Sequence, residues 1–233
     1  MCGGLLSRSL HQMRWIECLI LVNNWCIFYP VAATSTRHKN ALEVFRHAGG
    51  VLRTSQAIEA GIHPRDLYDL RDQGLLTRVS RGVYRLADLP PLQEPDLATV
   101  AARVPRAVVC LISALHFHAI TPEIPHAVSI ALPPGTAAPK LGWPPITVYR
   151  FAPEAFQAGV ETHNRDGIRL RVYGPAKTVA DCFKFRNRLG TDLAVLALRT
   201  GLAERKFKPA EVMHYARVCR VDKIVATYLQ ALL

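Results

Sequence analysis

Arg65, Tyr68 and Arg71 follow one another at three-residue intervals behind Pro64 in the segment HPRDLYDLRDQG. Guanidinium and phenol groups hydrogen-bond base edges and phosphate oxygens, and arginine in particular matches the O6/N7 pair of guanine. A second set follows in TRVSRG, where Arg78, Ser80 and Arg81 surround a glycine turn and suit a phosphate backbone. Upstream, Arg53 and Thr54 add two more donors ahead of a short apolar segment. The same stretch carries Asp66, Asp69 and Asp72, so two arginines against three aspartates leave residues 64–73 at −1. Asp66 complements the start of a helix dipole, whereas Asp69 and Asp72 repel phosphate and suit only a cytosine amine. Affinity for double-stranded DNA is therefore expected from Arg53, Arg78 and Arg81, and base reading from Arg65 and Tyr68.

The surrounding pattern supplies elements to position these groups. Ala41, Leu42, Val44, Phe45 and Ala48 recur at helical spacing before Gly49-Gly50. A short extended piece, residues 51–53, leads to a helix over 56–60 capped by Thr54 or Ser55. Pro64 opens a helix over 64–73 with Leu67 and Leu70 on its inner face and Gly74 at its end. Residues 75–79 and 83–86 alternate around Ser80-Arg81-Gly82 as a hairpin. Helix, strand, helix, turn, helix, hairpin is the order of a winged helix-turn-helix, with the third helix in the major groove and the hairpin on the backbone. The same module also serves as a protein-contact surface, in which case it would not touch DNA.

Composition narrows the class. Of 233 residues, half are apolar and a fifth charged, and the formal charge of +11 favours a polyanionic or acidic partner. Residues 38–88 hold eight basic against six acidic side chains, whereas residues 160–233 hold fourteen against seven. Most of the positive excess thus lies far from the DNA-binding candidates. The six cysteines form no C-x-x-C pair, which argues against a zinc ribbon or a disulfide scaffold and fits a reducing cytoplasm. His116 and His118 fall at a helix start, where positions i and i+2 diverge, and read as packing or hydrogen-bonding histidines. The apolar run at 15–33 is interrupted by Glu17, Asn23 and Asn24, too broken for a membrane span. It reads as a leader of residues 1–37 upstream of the natural start, with a signal segment ending near Ala33 as the rival.

Beyond Leu89-Pro90-Pro91, helices are expected at 96–103 and 113–119 and strands at 107–111, 126–132 and 146–151. A hairpin is expected at 160–173, then helices at 175–188, 192–201, 209–220 and 222–233. This is an α+β class: a winged helix-turn-helix at 38–88, then a mixed α+β domain at 96–233 ending in helices. No P-loop, G-x-S-x-G or H-E-x-x-H occurs. Glu161, Asp166, Asp181 and Lys184 lack the spacing of a two-carboxylate nuclease core. No enzyme, metal or cofactor is expected. Lys177, Lys184, Arg186 and Arg188 read as one basic helix and its end.

Three segments taken in order, GIHPRDLYDLRDQGLLTRVSRGVYRL, ISALHFHAITPEIPHAVSIALP and VYGPAKTVADCFKFRNRLG, resemble the AbiEi family of type IV toxin–antitoxin systems, over about residues 39–233. The resemblance implies a DNA-binding repressor of its own operon that also counteracts a nucleotidyltransferase toxin without requiring a stable complex. It implies DNA contacts at Arg65, Tyr68, Arg71, Arg78, Ser80 and Arg81, and antitoxicity in the second domain, on a surface with Lys184, Arg186 and Arg188. A stand-alone winged-helix regulator and a winged-helix-guided nuclease are the alternatives.

Overall fold

A computed structural model describes residues 35–232; the leader and its three cysteines (Cys2, Cys18, Cys26) lie outside them, except for its last residues. Thr36 and Arg37 belong to the first helix, α1 (Thr36–His47), because Ser35 Oγ accepts from the His38 N–H at 3.2 Å and caps it. Gly49 and Gly50, at φ +80° and +85°, turn the chain into β1 (Val51–Arg53). Then follow α2 (Thr54–Glu59), α3 (Pro64–Asp72), β2 (Leu76–Ser80) and β3 (Val83–Leu86). The three strands form an antiparallel sheet in the order β1-β3-β2. Phe45, Leu67, Leu70 and Leu76 are buried between the helices and this sheet, so truncating either leucine of α3 to alanine would cost about 2–5 kcal/mol.

The second region begins with α4 (Pro95–Arg103), β4 (Val108–Val109), α5 (Leu111–Phe117), β5 (Val128–Leu132), β6 (Ile146–Arg150) and α6 (Pro153–Gln157). It continues with β7 (Val160–Arg165), β8 (Ile168–Tyr173), α7 (Pro175–Lys184), α8 (Arg186–Leu189), α9 (Thr191–Ala203), α10 (Pro209–Val218) and α11 (Asp222–Leu232). Five strands form a mixed sheet, β6-β5-β4-β8-β7, with β5–β6 and β4–β8 parallel. Side chains alternate between its faces. Val128, Ile130, Leu132, Leu170 and Val172 pack beneath α4, while Ala131, Tyr149 and Tyr173 join the layer of α7, α9, α10 and α11. The mixed α+β class expected from the sequence is thus observed, and among the described residues no helix is long and apolar enough to cross a membrane.

Several local readings change. Helix α2 starts at Thr54, with Arg53 at its cap position in place of Thr54 or Ser55, and His116 and His118 lie at the end of α5 instead of at a helix start. The strand expected at 107–111 pairs only at Val108 and Val109, and Leu111 (φ 50°) instead starts α5. The short helix α6 was not expected, because five residues carry too little periodicity. The helix expected over 175–188 stops at Lys184; Phe185, at φ −101°, breaks it before α8.

All these elements belong to one compact unit, residues 35–233. Helix α4 packs against both β2 and β8. Arg85, buried in β3, donates through both terminal guanidinium nitrogens to the carbonyls of Leu89 and Pro90. Gln93 N–H donates to Asp166 at 3.0 Å, and Arg165 to the Gln93 side chain at 3.2 Å. The connecting segment is thereby tied down at both ends.

Candidate nucleic-acid interface

Helix α3 is built to present one face. Pro64 occupies its first turn, and His63 Nδ1 accepts from the Arg65 N–H at 3.2 Å, so the N-terminus is capped. With Leu67 and Leu70 turned inward, Arg65 and Tyr68 (49 % exposed) face solvent. Arg71 is engaged: its Nε and Nη2 donate to Asp72 at 2.9 and 2.7 Å, and its guanidinium lies 5.3 Å from the Tyr68 ring centre. The hydrogen bond to Asp72 holds this arginine above its ordinary pKa. Asp66 is met by Arg37 at 3.3 Å. Asp66 and Asp72 are thus paired with arginine, so of the two aspartates expected to repel phosphate only Asp72 is met.

One of those arginines, Arg37, comes from the segment read as leader. His38, Asp66 and Asp69 also converge, with one ligand atom of each within 4.8 Å of the others. His38 lies far from the aspartates in sequence, and their meeting follows only from the packing of α1 on α3.

The β2–β3 hairpin gathers the second set. Arg81 is exposed at its tip, Gly82 takes the φ of +75° that the turn requires, and Arg78 Nε donates to the Ser80 carbonyl at 3.3 Å. The ladder slips between Arg78 and Ser80, a bulge that increases local twist. Thr54 is structural in this arrangement: its N–H and Oγ1 donate to the Gly82 carbonyl at 2.9 and 3.3 Å, fastening the hairpin to the start of α2. Arg53 turns the other way and donates to the Ala101 carbonyl of α4 at 3.4 Å. Of the eight candidate DNA contacts, Arg65 and Tyr68 share the exposed face of α3, Arg71 is held against Tyr68, and Arg78, Ser80 and Arg81 share the hairpin. Thr54 and Arg53 are hydrogen-bonded within the protein, to Gly82 and Ala101.

In the C-terminal layer the basic group divides. Lys184 and Arg188 are exposed, Arg188 lies 4.6 Å from the Tyr149 ring centre, and Arg186 donates to the Phe183 carbonyl at 3.0 Å. Lys177 is not part of a solvated face. It is fully buried, its Nζ 2.5 and 2.6 Å from the Asp181 carboxylate and 4.3 Å from the Tyr173 ring centre. Cys219 Sγ donates to the same carboxylate at 3.1 Å. Burial pushes the Asp181 carboxyl up against the opposing pull of Lys177, and pushes the Cys219 thiol up to about 12. The i, i+4 spacing inside the apolar run PAKTVADCF was the available sign of this pair.

Asp181 is therefore enclosed in the core, Asp166 sits in the β7–β8 turn, and Glu161 pairs with His163 at 3.2 Å, so the acidic residues considered for a nuclease are dispersed. His118 Nε2 lies 2.8 Å from the Tyr173 carbonyl, which can only accept, and burial lowers the pKa of the ring.

Residues 41–87 match the family model described as transcriptional regulator, AbiEi antitoxin. No curated protein matches the sequence. Among solved structures, the crystal structure of the RV2827C protein from Mycobacterium tuberculosis shares the fold, with a TM-score of 0.51 at 16 % identity over 78 % of this chain and 72 % of that one. The AbiEi resemblance read from the sequence is thus met, over residues 41–87, by the family model of an antitoxin and transcriptional regulator.

Proposed function

We propose that residues 38–88 are a winged helix-turn-helix that binds promoter DNA and represses its own operon. Residues 96–233 form the antitoxin domain that counteracts a nucleotidyltransferase toxin. The observation that carries this reading is the exposed Arg65–Tyr68 face on a capped helix, beside a hairpin whose tip is Arg81. In this reading α3 reads bases in the major groove and the hairpin is the wing on the phosphate backbone. The AbiEi match over residues 41–87 supports the same assignment. Cys110, Cys182 and Cys219, free and buried, fit a protein working in the reducing cytoplasm where its DNA lies. Lys184, Arg186 and Arg188 are the surface assigned to antitoxicity, which requires no lasting complex with the toxin. The test is a shift assay on the upstream promoter with the full chain. Tight, sequence-dependent binding lost in Arg65→Ala/Tyr68→Ala supports the reading; equal binding of promoter and unrelated duplex at moderate salt contradicts it. Co-expression with a neighbouring nucleotidyltransferase tests the second half: growth should be restored by the wild type and not by a Lys184/Arg186/Arg188 triple alanine variant.

A further inference from the structure

Between the tip of the β2–β3 hairpin and α4 lies an open groove of about 250 Å³. It is lined by Ser80 and Arg81 of the hairpin, by Thr99 and Arg103 of α4, and by Trp143 of the loop between β5 and β6. Trp143 is 71 % exposed, an unusual state for the largest apolar side chain, and Arg81 and Arg103 are exposed as well. No acidic residue is among the described residues lining the groove. The Ser80 hydroxyl is buried without a hydrogen-bond partner beside it. Two guanidiniums and an indole around one groove suit a sugar–phosphate backbone. The arginines bind phosphate oxygens, while the indole packs against deoxyribose and offers its N–H.

We infer that this groove takes a backbone segment of the bound duplex next to the wing, so that Arg103 and Trp143 of the second region extend the DNA contact begun by Arg81. The inference rests on the DNA-binding reading above. Arg81 belongs to both surfaces, which makes the groove a continuation of the wing and its positive charge complementary to the duplex. Contact from α4 would also explain why α4 is fastened to the first module through Arg53 and β2.

The test uses the full chain, the promoter duplex and the variants Arg103→Gln, Trp143→Ala and Trp143→Phe, each checked for an unchanged thermal melt. Hydroxyl-radical footprinting should show protection at the flank of the site lost in Arg103→Gln and Trp143→Ala, with the centre read by α3 still protected. Loss of one phosphate contact in Arg103→Gln should reduce the slope of log K against log salt by about 0.9. Trp143→Phe should retain most flank protection, because the ring face is kept. Wild-type slope and footprint in folded Arg103→Gln and Trp143→Ala, with binding still lost in Arg65→Ala/Tyr68→Ala, would overturn the groove while leaving the winged helix intact. Failure of the wild type to bind any duplex would overturn both.

Discussion

Gly167, at the tip of the β7–β8 hairpin, meets the carbonyl of Gly49 at the end of α1 so closely that a Cβ on Gly167 would overlap the Gly49 oxygen. Both residues hold positive φ, +76° and +80°. The contact joins the first module to the five-stranded sheet at a point where Gly167 leaves no room for a side chain. Gly167→Ala should therefore destabilise by about 1–3 kcal/mol, from left-handed backbone strain and separation of the two turns. A denaturant titration reads this directly. Unchanged stability would mean the two turns are not held together in solution.

The buried ion pair makes a second case. Lys177→Met leaves the Asp181 carboxylate enclosed without its partner and should cost about 3–5 kcal/mol, whereas Lys177→Met/Asp181→Leu should recover most of that loss. The pH dependence has a defined sign. An aspartate held above its unfolded pKa binds its proton more tightly when folded. Its contribution is thus fully present below the unfolded value, near about 4, and is lost as pH rises through the folded value. Burial already pushes Asp181 in this direction, and removing Lys177 removes the opposing pull. The deficit of Lys177→Met should accordingly be smaller at pH 4 than at pH 8, as measured by urea unfolding.

The same enclosure governs the thiols. Cys110, Cys182 and Cys219 are buried, and burial raises all three, Cys219 to about 12. Peptide mapping after alkylation at pH 8 should find these three unmodified in the native protein and fully modified in denaturant. Native alkylation of Cys219 would show that the Lys177–Asp181 pocket opens.

Within the first module the structure separates residues that the sequence had grouped. Arg53→Ala should leave the salt dependence of DNA binding unchanged and lower stability slightly, because its guanidinium bonds the Ala101 carbonyl of α4. Arg81→Ala should weaken binding to all sequences alike and reduce the salt slope by about 0.9. Isothermal titration at two salt concentrations distinguishes these behaviours.

The order of elements from α1 to β3 was legible in the sequence because each boundary carries its own local signal: Gly49-Gly50, Pro64, Gly74, Gly82. Arg65 and Tyr68 were legible too, since helical geometry places them once Leu67 and Leu70 point inward. The rest depends on long-range packing. That Arg53 reaches the Ala101 carbonyl, 48 residues away, carries no local signal. Lys177 looks like a solvated cation until Tyr173, Phe151 and Asp181 close around it. The parallel pairing of β4 with β8 brings together segments whose periodicities say nothing about each other. Arg103 comes to line one groove with Arg81 because α4 lies against β2.

The most direct measurement is a salt-controlled shift assay on the upstream promoter, comparing the full-length wild type with Arg65→Ala/Tyr68→Ala and with Arg78→Ala/Arg81→Ala. The first pair should lose preference for the promoter over unrelated duplex, by about 1–3 kcal/mol per base contact removed. The second should retain that preference but bind both duplexes more weakly, with a shallower salt slope. Binding by both variants that is indistinguishable from the wild type would contradict the assignment of α3 and the hairpin as the DNA-reading surface.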